Sequence, residues 1–131
     1  MVCCMSELNI NVQINNGIPE VTCEQLQALI QKVVTDVTNG SKIKLIDVRQ
    51  PDEFVGELGH IKGAELIILG PDLAKFLNSE DKNQEIIFIC RSGGRSGVAT
   101  AESQIRGFTS TANLIGGMMQ WNRLGYSIER E

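Results

Sequence analysis

Glu85-Ile-Ile-Phe-Ile-Cys90-Arg-Ser-Gly-Gly-Arg95-Ser96, running on into Gly97-Val-Ala-Thr-Ala-Glu-Ser-Gln-Ile-Arg106, is the stretch that decides the fold. Ile86 to Ile89 are consecutive apolar residues, β-branched or aromatic, the pattern of a short strand buried on both faces. Arg91 to Arg95 contain Gly93, Gly94 and Ser92, which predicts a tight turn. Gly97 to Arg106 lack proline, carry Val98, Ala99, Ala101 and Ile105, and end on Arg106-Gly107, which predicts a helix. A cysteine therefore stands at the end of a buried strand, one loop before a helix.

That placement has chemical consequences. Amide N–H groups at a helix start have no partner within the helix and point at whatever lies there. Gly93 and Gly94 let the loop curl so that successive amides converge on an anion. The helix dipole, Arg91 and Arg95 add positive charge. Each contribution favours thiolate over thiol, so Cys90 is expected to have a lowered pKa and to be nucleophilic. The same cradle suits an extra sulfur carried on Cys90 as an anionic persulfide. The plain alternative is a buried structural cysteine beside a glycine turn; the glycines, arginines and strand–loop–helix context together argue against it.

The loop Cys90-Arg-Ser-Gly-Gly-Arg-Ser96 resembles the active-site loop of rhodanese domains, the single-domain sulfurtransferases. The resemblance implies an α/β, single-domain rhodanese-like fold, with a central, mostly parallel five-stranded sheet and helices on both faces. It implies Cys90 as the catalytic residue and Arg91, Ser92, Gly93, Gly94, Arg95 and Ser96 as the loop that binds substrate and persulfide. Cysteine-based phosphatases resemble this design but place one more residue between cysteine and arginine. The shorter loop suits a single sulfur atom rather than a phosphate.

Other segments resemble the same family: Asp47-Val-Arg49 with Glu53-Phe54, Gly59-His60-Ile-Lys-Gly63-Ala64, and Gly116-Gly117 with Trp121 and Leu124-Gly125-Tyr126. Asp47 and Arg49 read as supporting residues that fix neighbouring loops through ion pairs and backbone hydrogen bonds, with Glu53 the expected partner of Arg49. A role for Asp47 as acid or base is the alternative, yet persulfide transfer needs no strong base once the thiol is ionised. His60, the only histidine, lies on a turn signal and is read as a folding residue rather than a general base. The resemblance spans Val21 to Tyr126.

At 131 residues and a net charge of −4, the chain is long enough for one domain with a real core and lacks the basic balance of a nucleic-acid binder. Its start shows no basic segment followed by an apolar run, so no signal peptide is expected, and no stretch is long enough to cross a bilayer. The four cysteines lack metal-binding spacing and predict a reduced, cytoplasmic protein without structural disulfides. Cys3 and Cys4 read as part of a frayed terminus, and Cys23 as a structural thiol.

The expected organisation is an N-terminal extension over 1–20, with a short edge strand from Asn9 to Ile14, and a rhodanese-like domain over 21–131. Strands are expected at Ile18–Val21, Ile43–Val48, Glu65–Leu69 and Thr111–Ile115. Helices are expected from a Thr22/Gln25 capping box to Asn39-Gly40, over Asp52–Leu58 and Pro71–Asn78, and around Met118, Met119 and Trp121. Alternating strands and helices imply a parallel sheet whose ligand site lies at the carboxyl ends of the strands. Cys90, Arg49 and the Gly116 turn would all arrive there, the last as a rim of the pocket.

The implied function is a sulfurtransferase. It would move a sulfane sulfur from a small donor, thiosulfate or a persulfide, to a protein or small-thiol acceptor through a persulfide on Cys90. No cofactor, metal, nucleic acid or membrane partner is implied. The rivals are a cysteine-based phosphatase or arsenate reductase, which lacks an evident partner cysteine here, and a non-catalytic rhodanese-like binding or regulatory module.

Overall fold

The computed structural model describes residues 2–5, 10–35 and 43–131. In chain order the elements are β1 (Val2–Met5), β2 (Ile10–Asn15), β3 (Ile18–Val21), α1 (Cys23–Thr35), β4 (Lys44–Asp47), α2 (Pro51–Phe54), β5 (Glu65–Leu66), α3 (Pro71–Ser79), β6 (Ile86–Ile89), α4 (Gly94–Ile105), β7 (Thr111–Leu114) and α5 (Gly117–Arg123).

Among the described residues the sheet has seven strands in the order β1-β2-β3-β7-β6-β4-β5. β3, β7, β6, β4 and β5 pair in parallel, and β2 and β1 continue the sheet antiparallel. The mostly parallel sheet is the expected one, but the count is seven rather than five because the N-terminal residues extend it as hairpins. The β2–β3 turn is Asn16-Gly17, with φ of 53° and 81°, the double positive φ that a two-residue hairpin favours. Cys3 and Cys4, expected in a frayed end, lie in β1 opposite Val12 and Asn11.

Residues of β6 alternate between two cores, as side chains on a strand must. Ile87 and Ile89 join Ala112, Leu114, Leu26 and Leu29 of α1, and Met118 and Trp121 of α5. Ile86 and Phe88 join Ile46, Leu73 and Leu77 of α3, and Ala99 of α4. Helices thus cover both faces, and all four β6 side chains are fully buried. Each contributes about 1.5–3 kcal/mol of hydrophobic stabilisation, which anchors the strand that carries Cys90. The Thr22/Gln25 capping box opens α1 as expected: Gln25 N–H donates to Thr22 Oγ1 at 3.0 Å, and Thr22 N–H to Gln25 Oε1 at 2.8 Å. The expected closing signal, Asn39-Gly40, lies outside the described residues.

Some boundaries differ from expectation for local reasons. α2 stops at Phe54 rather than Leu58, where Val55 N–H closes back on Pro51 O and Gly56 N–H on Glu53 O. β5 covers only Glu65–Leu66, although Ile67 and Leu69 still donate to Asp47 O and Val48 O. α4 begins at Gly94, because Gly93 adopts φ +105° and turns the chain directly into the helix. Arg95 and Ser96 therefore belong to its first turn. No helix among the described residues is long and apolar enough to cross a membrane.

Candidate active site

Parallel strands β4, β6 and β7 end on one edge of the sheet, which brings Arg49, Cys90 and the Gly116 turn together there. The start of α5 docks onto the cysteine: Met118 N–H donates to Cys90 O and Met119 N–H to Arg91 O, both at 2.9 Å. Only glycine fits at position 117. It has φ +55°, and a Cβ there would stand 2.4 Å from Cys90 O.

The Cys90 sulfur is cradled as an acceptor. Gly93 N–H donates to Sγ at 3.1 Å and Ser96 Oγ–H faces it at 3.2 Å. Burial is the largest single influence on the thiol and pushes its pKa up. The Ser96 hydroxyl and the amides of Ser96, Gly93 and Ser92 pull it down and prevail, leaving it below the ordinary value of 9.0. The residue is only 1% exposed and packs against the Ile46–Phe88 core, so the cradle sits at the bottom of the loop. Arg91 is exposed, and Arg95 is about one-third exposed at the side chain.

Asn113, on β7, was not singled out from sequence. It is 4% exposed. Its Oδ1 lies 2.5 Å from Ser96 Oγ, and its Nδ2 donates to Gly93 O at 3.1 Å. It thus holds both ends of the turn around the sulfur. A lone asparagine inside the strand Thr111-Ala-Asn-Leu114 is the signal that points to it, since buried parallel strands rarely carry an amide without a use.

Asp47 and Arg49 form a bidentate pair with both contacts at 2.8 Å, and both are essentially unexposed. Arg49 Nη2 also donates to Gly59 O at 2.7 Å, tying the end of β4 to the Gly59–Ala64 turn. Glu53 is not the hydrogen-bond partner of Arg49. It receives two bonds of 2.8 Å from Arg95, while Arg49 is already occupied by Asp47. Those bonds lower the Glu53 carboxyl to about 2; burial opposes the shift, and the Gln50 amide adds to it. The Glu53 carboxylate therefore joins the start of α2 to the first turn of α4. His60 stacks on Phe54 at 3.7 Å, and its Nδ1–H donates to Phe54 O at 2.8 Å. It staples the turn after α2.

Beside the loop opens a cavity of about 380 Å³ whose lining includes Asp52, Glu53, Glu57, Leu58, Arg91 and Met119. Arg91 follows Cys90 directly, so loop and cavity share a wall. Met119 brings the α5 turn to the rim, as the sequence suggested. Among the described side chains, Cys23 is another buried free thiol. Its Sγ–H faces Ile115 O and Gly117 O at 3.7 and 3.8 Å, and burial, reinforced by Glu24, pushes it up to about 11.

Comparison with known proteins gives a consistent picture. Residues 22–124 match the family model of the rhodanese-like domain. The chain is 42% identical over 94 residues to the putative sulfurtransferase YtwF of Bacillus subtilis, covering 72% of this chain and 84% of that protein. It is 36% identical over 106 residues to the putative sulfur carrier protein YrkF of the same organism, covering 81% of this chain and 52% of YrkF, and so spans about half of that relative. The crystal structure of a rhodanese-related protein from Thermoplasma volcanium superposes with a TM-score of 0.69 at 21% identity, over 86% of this chain and 98% of that one, a likeness of fold.

Proposed function

The chain belongs to the rhodanese-like domain family, and from that premise we propose that it is a sulfurtransferase working through a persulfide on Cys90. The observation that carries this reading is the pair of donors on Sγ, with Gly93 N–H at 3.1 Å and Ser96 Oγ at 3.2 Å. Donors placed this way favour the thiolate, which is the nucleophilic form of the sulfur. Similarity to a putative sulfurtransferase and to a putative sulfur carrier protein supports the same chemistry.

In the first step the Cys90 thiolate attacks the outer sulfur of a donor such as thiosulfate. The new S–S bond forms as the bond to sulfite breaks, and sulfite leaves with the electron pair. Cys90 then carries an anionic outer sulfur about 2 Å beyond Sγ, one S–S bond length, which lifts the reactive atom off the floor of the loop. In the second step an acceptor thiolate, small or on a protein, attacks that outer sulfur, and Cys90 departs as the thiolate that began the cycle. The loop amides and Ser96 serve the charge in both steps, and Arg91 is the exposed cation nearest in sequence to the sulfur. Asp47 and Arg49 act as supports, since their contacts go to each other and to the Gly59 turn.

Intact-protein mass spectrometry after thiosulfate treatment tests this directly. The expected result is the gain of one sulfur atom, removed by cyanide or a thiol and absent in Cys90→Ser. Undiminished sulfur loading in Cys90→Ser would refute the mechanism.

A further inference from the structure

Ser96 has one hydroxyl proton and two neighbours that want it. Its Oγ lies 3.2 Å from Cys90 Sγ and 2.5 Å from Asn113 Oδ1. Turning the Asn113 amide over does not resolve the competition. Its Nδ2 donates to Gly93 O at 3.1 Å and faces the Glu20 carboxylate at 3.4 Å, so a reversed amide would set oxygen against two acceptors. Asn113 Oδ1 is thereby held on Ser96.

The winner of the competition depends on the state of the sulfur. A bare thiolate draws the hydroxyl strongly, because hydrogen bonds to ionised acceptors are roughly twice as strong as neutral ones. That choice leaves Asn113 Oδ1 facing a lone pair in a buried site, which is costly. Once a second sulfur is added, the negative charge moves outward and the inner sulfur becomes a neutral, weak acceptor. The hydroxyl then turns to Asn113. No covalent bond changes in this reorientation.

We propose that Asn113 is a positioning residue that takes up the Ser96 hydroxyl when Cys90 is loaded, and so favours the sulfur-loaded form over the bare thiolate. The idea rests on the persulfide reading above and deepens it by naming what tunes the loaded state. Asn113 acts through Ser96.

The test uses the full chain and four variants: Ser96→Ala, Asn113→Val, Asn113→Ala, and Asn113→Val combined with Ser96→Ala. The readout is the pH dependence of iodoacetamide alkylation at Cys90, followed on its own peptide by mass spectrometry. This needs no sulfur donor, so failure of the proposal is distinguishable from failure of sulfur transfer. Charged groups around the loop are Arg91, Arg95 of α4, Glu53 of α2, the Asp47–Arg49 pair at the end of β4 and Glu20 of β3. The first residues of α5, packed on the loop, are uncharged. None of these residues is replaced in the variants, and the loss of the Asn113–Glu20 contact is common to the backgrounds with and without Ser96, so comparing the two cancels it.

Replacing Asn113 frees the hydroxyl for the sulfur. The alkylation midpoint should then move to lower pH, with the thiolate fraction below the midpoint rising roughly tenfold, the worth of one charge-assisted hydrogen bond. At a fixed ratio of thiosulfate to sulfite, less Cys90 should be found loaded. Ser96→Ala should move the midpoint up, and adding Asn113→Val to it should change nothing further. Asn113→Ala repeats the arm with a smaller side chain should the valine variant misfold. The proposal falls if the midpoint stays or rises on losing Asn113, if the same shift persists without Ser96, or if Ser96→Ala alone leaves the midpoint unmoved.

Discussion

Cys90 and Cys23 look alike by the simplest measures. Each is 1% exposed, and each lies near a helix start, Cys23 as the first residue of α1 and Cys90 one short loop before α4. Their thiols are nonetheless driven in opposite directions, Cys23 up to about 11 and Cys90 below its ordinary value. The difference lies in which partners face the sulfur. Cys23 is raised by burial and by Glu24, and its Sγ meets the carbonyls of Ile115 and Gly117, which have no proton to offer a thiolate. Cys90 Sγ meets the Gly93 amide and the Ser96 hydroxyl, which reward the anion. Burial alone therefore predicts an inert thiol at both places; the direction of the surrounding hydrogen bonds separates them. Gly117 belongs to both sites, offering its carbonyl to Cys23 while its missing Cβ leaves room for Cys90 O.

The largest expected effect breaks the comparison open kinetically. With its thiol at about 11, Cys23 is thiolate to roughly one part in ten thousand at pH 7, so alkylation of the native protein should modify Cys90 and spare Cys23 by orders of magnitude. Site-resolved mass spectrometry checks this, and comparable rates at the two positions would erase the distinction. Correspondingly, Cys23→Ser should retain sulfur loading.

A smaller effect sharpens the link between the two sites. Gly117→Ala places a methyl 2.4 Å from Cys90 O on a backbone of φ +55°. Left-handed backbone and overpacking together should cost about 3 kcal/mol in denaturant unfolding. The same variant should slow Cys90 alkylation, because the docking of α5 on the loop is disturbed. Wild-type stability in Gly117→Ala would contradict the close approach.

The smallest effect concerns the outer edge of the Cys90 site. Glu53 has a depressed pKa in the folded chain, so its contribution is present above its unfolded value of 4.5 and is lost as pH falls toward about 2. Both partners of the Glu53–Arg95 pair are partly exposed, at 26% and 38%, which limits the pair to about 1 kcal/mol or less. Glu53→Gln should lower neutral stability by about 1 kcal/mol or less and flatten the acid limb between those pH values, so that variant and wild type converge as pH falls toward about 2. An acid limb as steep as wild type would show that other carboxylates carry it.

Much of the molecule was legible from local pattern. The apolar run Ile86–Ile89 needed only its neighbours to be read as a buried strand, and Gly93-Gly94 announced the turn. The Thr22/Gln25 capping box likewise lies within a single helical turn. What escaped was set by distance along the chain. Glu53 is paired with Arg95, forty-two positions away, rather than with nearby Arg49, because Arg49 folds back on Asp47 and Gly59. Asn113 touches Ser96 across seventeen positions, through the neighbouring strand. The start of α4 was placed too late, since the helix-starting bend belongs to Gly93 and no side chain marks it.

Sequence alone determined that a cysteine would stand between a buried strand and a helix in an alternating α/β chain, because apolar runs, glycines and capping residues act over a few neighbouring positions. Tertiary structure alone decided that the Cys90 sulfur would face donors while Cys23 faces carbonyls, and that Asn113 would share the Ser96 proton. Those outcomes depend on which groups separate strands and helices deliver to the same few ångströms, and hydrogen-bond direction is defined only once they have been brought there.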